Sequence, residues 1–81
     1  MWSEGSIAIL NEDKSARVVF HYQVKHYDEP SETYGIDGGR ISKLFIWRDE
    51  VYTCRYDREW VLKPEDEDTE KVLAILIRKF N

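Results

Sequence analysis

Between Arg17 and Tyr27 the chain alternates, with Val18, Phe20, Tyr22 and Val24 on one parity and Arg17, His21, Gln23 and Lys25 on the other. Successive strand side chains point to opposite faces, so a period of two specifies a half-buried β-strand, and the β-branched and aromatic content suits one. Val19 is the single apolar residue on the polar parity, an exception that a sheet with one wetted face tolerates. The period changes after Lys63-Pro64, where Val72, Leu73, Leu76, Ile77 and Phe80 recur at helical spacing and Ala74 and Ile75 broaden the stripe. Acids at 65–68 and the bases Lys71, Arg78 and Lys79 match the helix dipole, and Pro64 supplies the boundary. A strand-rich body followed by one amphipathic helix must bury the helix stripe on a sheet face.

The other strands fit between these two anchors. Ser6 to Leu10 reads as a short strand closed by the turn-forming cluster Asn11-Glu12-Asp13-Lys14-Ser15. Asp28-Glu29-Pro30-Ser31-Glu32 ends the alternating strand, and Tyr34-Gly35-Ile36-Asp37-Gly38-Gly39 forms a loop that calls for positive φ. Arg40 to Trp47 carries Ile41, Leu44, Phe45, Ile46 and Trp47 on both parities, as a central, bulged or doubly covered strand does. Arg48-Asp49-Glu50 has hairpin length, Val51 to Tyr56 is the partner with Tyr52, Cys54 and Tyr56 on one parity, and Asp57 to Leu62 adds a last short strand. The expected fold is a single α+β domain over 1–81. It has an antiparallel meander of four or five strands within 6–62 and one helix over 65–80 packed on a face. A chain of 81 residues buries only about 60% of its unfolded surface, so the core is thin and leaves little room for an elaborate active site.

Twelve basic against sixteen acidic residues give a formal charge of −4, which argues against generic attraction to nucleic acid or anionic lipid. One cysteine, Cys54, excludes an intramolecular disulfide and favours a reducing, cytoplasmic setting. Trp2 is followed by Ser3, Glu4 and Gly5 where an export signal needs an apolar run, and the apolar run Val72 to Ile77 is far short of a membrane helix. No membrane partner is expected.

Chemistry-bearing residues are sparse. His21 and His26 lie five apart in one strand and so point to opposite faces, which prevents them from chelating one metal; no metal and no cofactor is expected. Cys54 between aromatic strand residues fits packing better than nucleophilic catalysis, and no catalytic residue is assigned. Gly35, Gly38 and Gly39 match neither phosphate-loop pattern and precede a strand, so a structural turn outweighs an anion cradle. The acids Glu65 to Asp68 suit a dipole-matched first turn better than a nucleic-acid mimic.

Charge is unevenly placed. Residues 40–63 hold six basic and four acidic residues, whereas 1–39 hold three and seven. The same middle segment carries Phe45, Trp47, Tyr52, Tyr56 and Trp60, and basic residues interleaved with aromatics can bind single-stranded nucleic acid.

The blocks Tyr34-Gly35-Ile36-Asp37-Gly38-Gly39-Arg40-Ile41-Ser42-Lys43-Leu44 and Tyr56-Asp57-Arg58-Glu59-Trp60 resemble those of a family of small bacterial proteins of unknown function associated with phages and mobile elements. That family usually has glycine where Glu59 stands. The resemblance implies no activity, but it implies that the glycine loop and the Tyr-Asp-Arg-x-Trp segment belong together, with Tyr34, Arg40, Lys43, Asp57, Arg58 and Trp60 as a shared binding surface. A structural use of the same residues has Asp57 and Arg58 fixing the loop and Trp60 filling the core. The expected function is a non-catalytic interaction module that binds a protein or pairs with itself through a strand edge. The alternative is a single-stranded nucleic-acid-binding domain.

Overall fold

The computed structural model describes residues 1–10 and 13–81. Five antiparallel strands run in chain order across one sheet: β1 (Trp2–Leu10), β2 (Arg17–His26), β3 (Ile41–Arg48), β4 (Val51–Asp57) and β5 (Trp60–Leu62). One helix, α1 (Glu67–Phe80), closes the fold, and a single 3-10 turn, Ile36–Gly38, lies in the loop before β3. The α+β meander expected from the two periodicities is therefore the observed architecture. Among the described residues no helix is long and apolar enough to cross a membrane.

The alternation in β2 decides the layering. Phe20, Tyr22 and Val24 turn to one face, where they meet Leu44 and Ile46 of β3, Cys54 and Tyr56 of β4, and Val72 and Leu76 of α1. Ala74 and Ile75 do not join this stripe; both are exposed, so the buried side of the helix is narrower than its composition implies. The helix begins at Glu67 rather than 65 because Asp66 caps it, its carboxylate accepting the Thr69 N–H at 2.7 Å. At the other end Asn81 donates from Nδ2 to the Ile36 carbonyl at 3.0 Å and accepts the Ile41 N–H at 2.9 Å, tying the helix to the glycine loop and the start of β3.

Three strand readings need correction. β1 begins at Trp2, not Ser6, since β2 offers a partner to every residue from Trp2 to Leu10 and this pairing outweighs the weak strand propensity of Ser3 and Gly5. The Tyr22 ring lies across Gly5, where a Cβ would meet its hydroxyl at 2.9 Å. Tyr52 and Cys54 do not share a face: Trp47 pairs with Tyr52 and Ile46 with Cys54, so Thr53 is an extra residue that rotates Tyr52 away from the core. The last strand is only three residues, Trp60–Leu62. Of the first polar cluster, Asn11 and Glu12 lie outside the described residues.

The β3–β4 hairpin turns on Asp49 and Glu50, with φ of 51° and 64°, the geometry of a two-residue primed turn without the glycine or asparagine that favours it. Replacing the pair by Asn-Gly should raise stability by about 1 kcal/mol in urea unfolding. Asp66→Ala should cost about 1 kcal/mol through the lost cap. Burial opposes ionisation of Asp66, but the Thr69 N–H and the Arg48 charge outweigh it and hold the carboxyl below its ordinary value. A lowered folded pKa means that this stability is full at neutral pH and fades as pH falls below about 4, where the variant and the parent should converge.

Candidate functional site

α1 covers one side of the sheet and leaves the other uncovered. On that open side the parity of β2 places His21, Gln23 and Lys25, the register of β3 places Lys43, Phe45 and Trp47, and the bulge at Thr53 adds Tyr52 beside Arg55. The rings form a seam. Trp2 stacks on Phe45 with centroids 6.4 Å apart, Phe45 meets Tyr52 at 6.1 Å, Tyr52 meets Trp47 at 6.0 Å, and Trp47 stacks on His21 at 5.8 Å. Trp2 remains 53% and Tyr52 46% exposed. Cations lie on the seam: Arg55 sits 5.0 Å from the Tyr52 ring and Lys25 5.9 Å from Trp2.

At one corner the open side deepens into a concavity of about 290 Å³. Three cations, Lys25, Lys43 and Arg58, bound it together with the rings of Tyr27 and Tyr34 and the hydroxyls of Ser31 and Ser42. Arg58 has φ of 62°, a left-handed conformation costly for a residue with a side chain, and its N–H donates to the Ser42 carbonyl at 2.8 Å. That turn sets its guanidinium 5.8 Å from the Tyr34 ring. Tyr34 is held in turn, its N–H donating to Ser31 Oγ at 3.1 Å and its carbonyl accepting the Tyr56 hydroxyl at 2.9 Å. Lys25 lies 5.7 Å from the Tyr27 ring, and its ammonium beside the phenol outweighs burial and lowers the Tyr27 pKa. Lys43 pairs with Asp57 at 3.6 Å.

Of the six residues proposed from sequence, Tyr34, Lys43 and Arg58 line this concavity and Asp57 sits at its rim through Lys43. Arg40 does not line it; its side chain is exposed and its carbonyl accepts the Tyr27 N–H at 3.1 Å. Trp60 belongs to the other side of the sheet, edge-on to Tyr56 at 5.1 Å and packed against the core, because β5 folds back so that Tyr56 and Trp60 pair. Lys25, Tyr27, Ser31 and Ser42 went unnoticed in sequence. The signal for Lys25 was its place on the wetted parity of β2, and its neighbour Lys43 becomes visible only through the register that sets Lys25 opposite Lys43. The glycines serve the turn: a Cβ on Gly35 would overlap the Gly39 carbonyl, one on Gly39 would overlap Asn81, and Gly38 has φ of 73°.

The arrangement offers cations, hydroxyls and flat rings. His21 faces the open side, while His26 stacks on Phe80 at 4.8 Å and shares a hydrogen bond with Ser3 at 2.9 Å. Among the described residues no group of three His, Cys, Asp or Glu could hold a metal ion. Cys54 is fully buried and burial pushes its thiol up to about 12. A thiolate is the reactive form, so a thiol reagent at pH 8 should leave Cys54 unmodified in the folded protein and label it on unfolding in urea. Labelling as fast as that of a free thiol would contradict its burial.

A family model described as a domain of unknown function (DUF7678) matches residues 1–81. No curated protein and no solved structure matches the chain.

Proposed function

Because the chain belongs to the DUF7678 family of domains of unknown function, its role has to be read from its own surface, and we propose that it is a non-catalytic interaction module that pairs with a second copy through the outer edge of β1. The observation that carries this reading is the contrast between the two edges of the sheet. β5 is three residues long and is followed by Lys63 and Pro64, the devices by which natural sheets discourage edge pairing. β1 is nine residues long, has no lysine, proline or register shift, and carries one charge, Glu4.

The Met1 carbonyl accepts the His26 N–H at 2.9 Å, so odd-numbered residues of β1 bond inward and the even-numbered ones turn their N–H and C=O groups outward. Antiparallel pairing about Ser6 would satisfy all of them. It would set Trp2, 53% exposed, opposite Leu10 of a second copy, 51% exposed, and half-buried Ile9 opposite Ser3. Burial of such edge residues adds to what a thin core supplies. A buried lone thiol fits a reducing, cytoplasmic setting.

Light scattering at micromolar concentration should give twice the 9.7 kDa chain mass. Ser6→Pro removes an outward donor without touching the bonds to β2 and should return the mass to that of one chain. Ser6→Lys, which opposes like charges across the two-fold, should do the same. A single-chain mass for the parent protein throughout the micromolar range would overturn the reading.

A further inference from the structure

The corner concavity violates a rule that the rest of the sheet obeys. Lys25 and Lys43 stand directly opposite each other on β2 and β3, a like-charge pair that disfavours the sheet, and Arg58 is brought to the same place by a left-handed backbone. Local conflicts of this kind, with three cations converging in a chain of formal charge −4, are expected where an anion is to be received. Only Lys43 has a carboxylate, Asp57; among the described residues Lys25 and Arg58 lie on aromatic rings instead of in ion pairs. The open side as a whole holds Arg17, Lys25, Lys43 and Arg55 against Glu4 and Asp57, so the excess acid lies on the loops and the helix.

We propose that the Lys25–Lys43–Arg58 concavity binds a backbone phosphate of single-stranded nucleic acid, whose neighbouring bases stack on the ring seam that begins at Trp2 and Phe45. Lys25 joins the two parts, since its ammonium lines the concavity and lies over the Trp2 ring. Phosphate charge alone would need only the cations, and an apolar peptide only the rings; cations interleaved with stacked, part-exposed rings on an uncovered sheet match a ligand that alternates anions with flat bases. A duplex hides its bases and offers nothing to the seam. The proposal does not depend on pairing through β1.

The test is fluorescence anisotropy with a labelled oligothymidylate of about 10 nucleotides, using the parent protein, Arg58→Gly, Phe45→Ser and the Ser6→Pro variant. Arg58→Gly relieves the left-handed backbone, so its thermal midpoint should be equal or higher while affinity falls. For one backbone phosphate held in the concavity, raising salt from about 50 to 200 mM should weaken binding about 2.6-fold, and Arg58→Gly should bring the logarithmic salt slope below the parent's value of about 0.7. Phe45→Ser should cost about tenfold and diminish the quenching of tryptophan fluorescence by the oligomer. Ser6→Pro should bind as the parent does, which separates this site from the pairing edge. Absence of binding at low salt would overturn the proposal, as would equal affinity for duplex, for a mononucleotide or for inorganic polyphosphate. An effect of Arg58→Gly with none of Phe45→Ser would reduce the site to a general anion trap and would also overturn it.

Discussion

One helix has to serve a sheet that has two faces. α1 is 14 residues, about 21 Å long, and its buried Val72 and Leu76, with the partly buried Leu73, Ile77 and Phe80, pack on the core in which Phe20, Val24, Leu44 and Ile46 are completely buried. Among the described residues no second helix covers the opposite side. That side is not wholly polar, because β3 places Phe45 and Trp47 on it and Trp2 and Tyr52 join them. The compromise is lamination: aromatic rings lie against one another and long cationic side chains spread over them, each contact at such exposed sites worth roughly 0.5–1 kcal/mol. The same arrangement leaves Trp2 and Tyr52 about half exposed, so the groups that stabilise the open side are also those it presents to its surroundings.

The elements legible in the sequence were those with an uninterrupted period. β2 alternates from Arg17 to His26 and α1 repeats from Val72 to Phe80, and both lie close to where periodicity puts them. β3, apolar on both parities, is central to the sheet: Leu44 and Ile46 face the helix while Phe45 and Trp47 face out. What could not be read were features set by a partner strand. The first half of β1 has the composition of a loop and becomes a strand because β2 is long enough to pair with it. Tyr52 takes the open side only because Thr53 is accommodated as an extra residue opposite β3, and nothing in the local string distinguishes that from plain alternation.

The site was legible to the extent that it is local. Tyr34, Lys43 and Arg58 come together, and the glycine loop does lie against the Tyr-Asp-Arg-x-Trp segment, through the Tyr56 hydroxyl on the Tyr34 carbonyl and the Arg58 guanidinium over the Tyr34 ring. Trp60 is only two residues from Arg58 yet lies on the far side of the sheet, since the tight return into β5 pairs it with Tyr56. Lys25 and Tyr27 contribute from a strand far away in sequence, and their convergence with Lys43 depends on a register fixed by the core pairs Val24–Leu44 and Tyr22–Ile46.

The Asn81 side chain bears on the order in which the molecule can be completed. Its amide joins the Gly39 N–H in donating to the Ile36 carbonyl, accepts the Ile41 N–H at the entrance to β3, and packs where any side chain on Gly39 would stand. Residue 81 follows all five strands in the chain, and its contacts form only once the helix that leads to it lies on the sheet. Until then the loop that carries Tyr34 lacks this latch, so the hairpins of the sheet can close first and the corner beside Tyr34 takes its final shape after the helix has docked.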